Sequence, residues 1–376
     1  MGSLSLHEFH QARGARFLDF NGQEAVAHYG DAPTEHATLG ESAGILDLSF
    51  RSRLCILGTD RVKFLNGQVT NNVKDLRTGE GCYAALVSAK GKIQSDLHIY
   101  ILENEILLDF EPGLGGAVQQ RLEKYIIAED VQVADVSAPY GLWSVQGPKA
   151  AAVIKRLPWN FALPEKPNAL ARIDDAAPGE IYVMNHARTH SAGYDLFVPS
   201  AAMQAVADQL LTAAKEMGGR ICGWQALETA RIEAGIPRFG ADMDETNLAS
   251  EVLDTGAISY TKGCYIGQEV IARVRTYGQP AKSLRGLRLP DNLRALPVKG
   301  DKLFLGEKEI GYITSAVASP RLKANIALGY VRREANQPGT ELLLQMPPDK
   351  VPVRIVELPF VPKDQETIWR PTGERE

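Results

Sequence analysis

The sequence predicts an α+β chain that ends in a small antiparallel β-barrel, and three observations carry this. At 376 residues the chain exceeds what one core usually fills, so two or three domains are expected. Up to Pro280 strand-like and helix-like patterns alternate, and a strand-glycine-helix arrangement occurs twice. After Pro280 the helical pattern stops and six short strand-like segments follow, separated by turn residues.

Leu54 to Leu57 reads as a strand, after which Gly58-Thr59-Asp60 opens a helix with Thr59 as N-cap and Val62, Leu65 and Val69 on one face. Strands over Cys82 to Val87 and Ile93 to Ile101 are joined through Ala89-Lys90-Gly91-Lys92. In the second, Ile93, Ser95, Leu97 and Ile99 face one side and Gln94, Asp96, His98 and Tyr100 the other, which predicts a half-exposed sheet face. A strand at Ile106 to Phe110, a helix from about Ala117 to Ile127 and a strand at Val131 to Val136 complete a split β-α-β unit. Its echo starts at Leu142 to Val145, where Gly147-Pro148 opens a helix over Lys149 to Leu157. Two domains of related design are therefore expected.

A proline-rich surface loop spans Leu157 to Pro167. Strands follow at Ile181 to Asn185 and Tyr194 to Val198, with helices at Ala201 to Met217 and about Trp224 to Ala234. The barrel segments are Leu284 to Leu289, Lys302 to Leu305, Ile310 to Ala318, Ile326 to Val331, Glu341 to Gln345 and Val353 to Leu358. These readings divide the chain into residues 1–280, 281–362 and a polar tail, 363–376, that is expected to be loose.

Composition narrows the function classes. A net charge of −5 with 23% charged residues gives no basic surface for nucleic acid. Cys55, Cys82, Cys222 and Cys264 form no C-x-x-C pair and have no histidine at metal-ligand spacing, which argues against a metal or cluster held by this chain alone. Dispersed thiols fit a reducing compartment. No apolar run approaches the roughly 18 residues of a membrane span. The segment MGSLSLHEFHQARG carries neither a signal-peptide apolar stretch nor a myristoylation serine or threonine. A cytoplasmic protein, acting as a monomer without a membrane partner, is the expectation.

Four positions could carry chemistry. Arg231 shares a helix face with Leu227, Ala230 and Ala234, so it needs either a ligand or a local partner such as Glu228. Asp96, on the polar face of its strand, could accept a ligand N–H or move a proton, or it could simply be solvated. Asp195, between Tyr194 and Leu196, poses the same choice. In Lys262-Gly263-Cys264-Tyr265-Ile266-Gly267-Gln268-Glu269, a lysine and the N-terminus of a helix over Gln268 to Val274 could favour the Cys264 thiolate, although a turn cysteine that packs inward fits as well.

That last string resembles the signature of the YgfZ family of folate-binding proteins, which includes a mitochondrial iron-sulfur assembly factor. The wider chain resembles the glycine-cleavage T-protein through Gly40 to Ser49, Phe64 to Asn71, Ala230 to Gly235, Asp242 to Thr246, Ile310 to Ser315 and Asn325 to Val331. The resemblance implies two interleaved ferredoxin-like domains and a C-terminal barrel around a cavity for tetrahydrofolate or a one-carbon-substituted folate. It further implies Asp96 near the reactive folate nitrogens, Asp195 reading the pterin ring, Arg231 and Lys262 as folate-binding cations, Tyr83 in the cavity wall, and Cys264 as a functional thiol. T-proteins carry a glutamate where Asp195 stands and lack the Lys-Gly-Cys-Tyr segment. Two roles follow from the likeness: an accessory protein for assembly or repair of iron-sulfur enzymes, with those enzymes or cluster carriers as partners, and a folate-dependent aminomethyltransferase or demethylase.

Overall fold

The computed structural model describes residues 2–174, 179–253, 256–347 and 349–362, so the tail after Pro362 lies outside the described residues. A helix α1 (His7–Gln11) and a hairpin of β1 (Arg16–Phe20) and β2 (Gln23–His28) lead through α2 (Ala32–Glu41) to β3 (Gly44–Asp47). Asp31 caps α2 by accepting from the Thr34 amide, and Pro33 occupies its first turn, where no N–H is needed.

The chain then leaves β3 to build a separate antiparallel sheet of five strands. Its elements are β4 (Ser52–Leu57), α3 (Arg61–Asn66), β5 (Gly81–Val87), β6 (Ile93–Ile101), β7 (Ile106–Phe110), α4 (Gly115–Glu123) and β8 (Gln132–Asp135), in the spatial order β5-β6-β7-β4-β8. Thr59 does not cap α3: its hydroxyl and amide both go to Asp130, and Asp60 takes the N-cap position. The helix expected from Ala117 to Ile127 ends earlier, at Glu123.

β9 (Tyr140–Gln146) brings the chain back beside β3, with Gly44 opposite Gln146 and Asp47 opposite Trp143. The second sheet, ordered β10-β11-β12-β9-β3-β13, adds β10 (Leu170–Ile173), β11 (Ile181–Asn185), β12 (Gly193–Pro199) and β13 (Arg220–Ile221), with α5 (Ala150–Ile154) and α6 (Met203–Lys215) against one face. Gly147 starts the turn into α5 at φ +128, where a Cβ would lie 2.4 Å from the Ser42 carbonyl oxygen. The two sheets are thus interleaved in sequence, as the resemblance implies.

The sheets meet over a shared apolar seam that includes Leu46, Leu48, Tyr100, Leu142, Met184 and Phe197, and α7 (Trp224–Glu233) closes it with Trp224 and Leu227. The segment beyond α7 carries α8 (Ala249–Val252) and α9 (Gln268–Tyr277) and covers β5 and β6 with Phe239, Met243, Tyr265 and Ile271. Six strands then close the C-terminal barrel in the order β14-β17-β16-β15-β18-β19. They are β14 (Lys282–Arg288), β15 (Lys302–Leu305), β16 (Lys308–Ser319), β17 (Ala324–Arg332), β18 (Glu341–Met346) and β19 (Asp349–Val356).

Candidate active site

The polar face of β6 is not a solvated surface. Gln94, Asp96 and His98 are half-buried, Tyr100 is buried, and Asp96 and His98 form one wall of a cleft of about 430 Å³ at the seam between the sheets. Tyr83 from β5 stands beside them. Arg51 and Glu111 enter from the ends of β4 and β7, His186 and Arg188 from the turn after β11, and Trp224, Arg231 and Arg238 from α7 and the loop after it.

Most of the charge in this cleft is already paired. Arg188 Nη2 lies 2.7 Å from Asp195 and 3.0 Å from Asp109. Arg51 Nε donates to both oxygens of Asp109 at 3.0 Å, and its Nη1 bonds Glu111. Arg238 lies 3.4 Å from Glu111 and from Glu228. Arg231 donates to both Glu228 oxygens and to Asp242. Asp195, Arg188, Asp109, Arg51, Glu111, Arg238, Glu228, Arg231 and Asp242 therefore alternate acid and base in one unbroken chain. At the barrel end Asp242 accepts from Thr314 at 2.6 Å and Ser315 at 2.7 Å. A register shift in β16 between Ile313 and Ser315 brings these two neighbouring hydroxyls to the same acceptor.

Asp109, His186 and Asp195 each offer a ligand atom within 4.8 Å of the others. Arg188 donates into both carboxylates, and this is the position a cation bridging them would take. The cluster is an ion-pair node.

Asp96 stands outside the chain of pairs. Its Oδ2 accepts from the Tyr83 hydroxyl at 2.9 Å, while its Oδ1 is closed off from solvent without a hydrogen-bond partner. Burial, reinforced by the nearby Glu111 charge, pushes its pKa up to about 6 against the partial relief of Arg51 and Tyr83. Asp195 is the opposite case: burial alone would raise it, but Arg188 and His186 outweigh that and hold it well below the usual carboxylate range. Its neighbour His186 is pushed down by burial and by Arg188, which keeps the ring neutral.

Three of the six expected site residues, Asp96, Tyr83 and Arg231, line the cleft. Arg231 is not a free cation for a ligand, because its partners include both Glu228 and Asp242. Asp195 sits behind the wall, 1% exposed, with His186 and Arg188 between it and the cavity. Lys262 is turned inward: its ammonium donates to the Asn66, Val69 and Asn71 carbonyls at 2.6, 2.8 and 2.6 Å, and so holds the turn after α3 instead of facing Cys264 or a ligand. Cys264 is exposed and lies off the cleft. The α9 N-terminus beside it is set by Gly267 at φ +83, where a Cβ would fall 2.5 Å from the Ser88 carbonyl oxygen.

Sequence reasoning passed over Arg51, His98, Glu111, His186, Arg188 and Arg238. His98 carried a signal, since it shares the Asp96 face of β6. The charged turn His186-Ala187-Arg188 between two apolar strands carried another.

Residues 6–261 match the GCVT N-terminal domain and residues 282–362 the glycine cleavage T-protein C-terminal barrel domain. The chain belongs to the glycine cleavage T-protein family. An aminomethyltransferase of Saccharopolyspora erythraea is 30% identical over 94% of this chain and 96% of its own length, and one of Symbiobacterium thermophilum is 28% identical with the same coverage. The crystal structure of the glycine cleavage system aminomethyltransferase T from Bartonella henselae superposes with a TM-score of 0.86 at 25% identity, over 96% of this chain and 98% of that one. This T-protein family member has no helix long and apolar enough to cross a membrane among the described residues.

Proposed function

We propose that the cleft binds a reduced folate and that Asp96 handles the proton at its one-carbon nitrogen, so that the chemistry best supported is folate-dependent one-carbon transfer of the aminomethyltransferase or demethylase type. The carrying observation is Asp96 itself: it is a cleft carboxyl outside the ion-pair chain, with a buried oxygen that lacks a partner. A carboxyl raised to about 6 exchanges protons near neutral pH and suits acid-base work on an amine-like nitrogen. The full-length aminomethyltransferase relatives support the same reading. The test is calorimetric titration with tetrahydrofolate under reducing conditions, followed by assay of methylene-tetrahydrofolate formation from a lipoyl-carried aminomethyl group or an N-methyl amine. Binding by wild type, with product formation lost in Asp96→Asn, is expected. No binding by wild type removes the proposal.

A second use of the same folate site rests on Cys264, whose thiol is exposed within the segment that resembles the YgfZ signature. In this reading the protein serves assembly or repair of iron-sulfur enzymes. It requires that Cys264→Ala fail to restore iron-sulfur enzyme activity in a strain lacking its own copy while binding folate normally. Full complementation by Cys264→Ala excludes it.

A further inference from the structure

We propose that His186, not Asp195, presents the polar atom that meets the ligand at this end of the cleft: its Nε2 accepts a hydrogen bond from a ring N–H of the pterin, while Asp195 and Arg188 fix the imidazole from behind. This rests on the folate reading above and assigns the recognition to a residue type that the family resemblance did not suggest.

The geometry leaves Asp195 no free edge. Its Oδ2 takes the His186 ring at 2.8 Å and Arg188 Nη2 at 2.7 Å, its Oδ1 takes Arg188 Nε at 3.3 Å, and it does not line the cavity. His186 does line it. Because Asp195 is ionised, the nitrogen facing it, Nδ1, must carry the proton and donate. With the ring neutral, Nε2 is left as a lone pair. Nε2 makes no hydrogen bond with the described residues, and it is not among the buried polar atoms sealed from solvent, in contrast to Nδ1 of the neighbouring His98.

The ring is also held in place. The His98 and His186 ring centroids are 3.9 Å apart, and the Tyr83 ring packs on His98 at 4.8 Å with a tilt of 30°. The buried Gln146 side chain clamps the turn by donating to the His186 carbonyl at 3.0 Å and accepting from the Arg188 amide at 2.8 Å. An acceptor this constrained binds without much ordering cost. A single lone pair takes one N–H, whereas a carboxylate edge would take two.

His186→Phe keeps a flat ring without the nitrogen, and His186→Gln keeps an acceptor near the Nε2 position. In calorimetric titrations of the full chain with tetrahydrofolate, His186→Phe is expected to bind at least about tenfold more weakly and His186→Gln within about threefold of wild type. Nitrogen-15 NMR of histidine-labelled wild type is expected to show protonated Nδ1 and bare Nε2, with the Nε2 resonance moving upfield as tetrahydrofolate is added. Asp195→Asn, a change at the positioning residue, is expected to lose that single tautomer. Wild-type affinity in a folded His186→Phe variant, or an Nε2-protonated ring in wild type, overturns this assignment and leaves the folate site standing. A wild-type protein that binds no tetrahydrofolate overturns both.

Discussion

The barrel packs Leu287, Leu303, Ile313 and Leu344, all buried, into an apolar core, whereas the cleft between the sheets is lined by four arginines and Glu111 that are held from behind by Asp195, Asp109, Glu228 and Asp242. Apolar burial stabilises roughly in proportion to area and tolerates exchange of one aliphatic group for another. A buried ion-pair chain gives little net stability but is sensitive to loss of any member, because the remaining partner stays desolvated and unpaired. In this protein the barrel is held by apolar packing, and the cleft keeps its walls polar and fixed while Asp96 stays unpaired at Oδ1.

That contrast breaks most sharply at Arg231. Arg231→Met takes the buried guanidinium from Asp242 and leaves Glu228 with Arg238 alone, and denaturant unfolding is expected to show a loss of about 3–5 kcal/mol. Ile313→Ala in the barrel leaves a cavity with no charge to strand, and a loss of about 2–4 kcal/mol is expected from the same measurement.

Asp96→Asn should act in the opposite direction. The folded chain raises this carboxyl from 3.8 to about 6, so its ionisation costs stability in full above pH 6, and the cost fades as the pH falls through the window between the two values and is gone only below the unfolded pKa, where folded and unfolded forms are both protonated. The variant is expected to be more stable than wild type near neutral pH, by up to about 3 kcal/mol in denaturant unfolding, with the two curves converging below about pH 3. Cys264→Ser, at an exposed position, is expected to stay within about 0.5 kcal/mol of wild type in thermal melts.

The same two regions differ in how much of each was legible. The barrel segment Lys302 to Leu305 matches β15 end to end, and Ile310 to Ala318 grows only into Lys308–Ser319, because alternation and turn residues are local signals. The cleft depends on pairings that no local pattern encodes. Arg231 finds Asp242 11 residues on and Ser315 on a barrel strand, Arg51 finds Asp109 and Glu111 from another strand and its end, and the β16 bulge that aims Thr314 and Ser315 together has no sequence mark. Lys262 and Cys264 are neighbours in sequence, yet the lysine turns to backbone carbonyls inside while the thiol faces out. The β1-β2 hairpin and the early end of α4, where Ile127 is 90% exposed, were likewise not evident from periodicity.

The excursion of the chain between β3 and β9 has a consequence for biosynthesis. The five-stranded sheet is built entirely from residues between Ser52 and Asp135 and has all its strands as soon as that stretch leaves the ribosome. β3 emerges earlier but must wait for β9 about a hundred residues later, and for β13 after that, so its apolar strand stays unpaired while a later one is already closed. A pause in translation just after residue 135 would hold the nascent protein with one finished sheet and one orphaned strand.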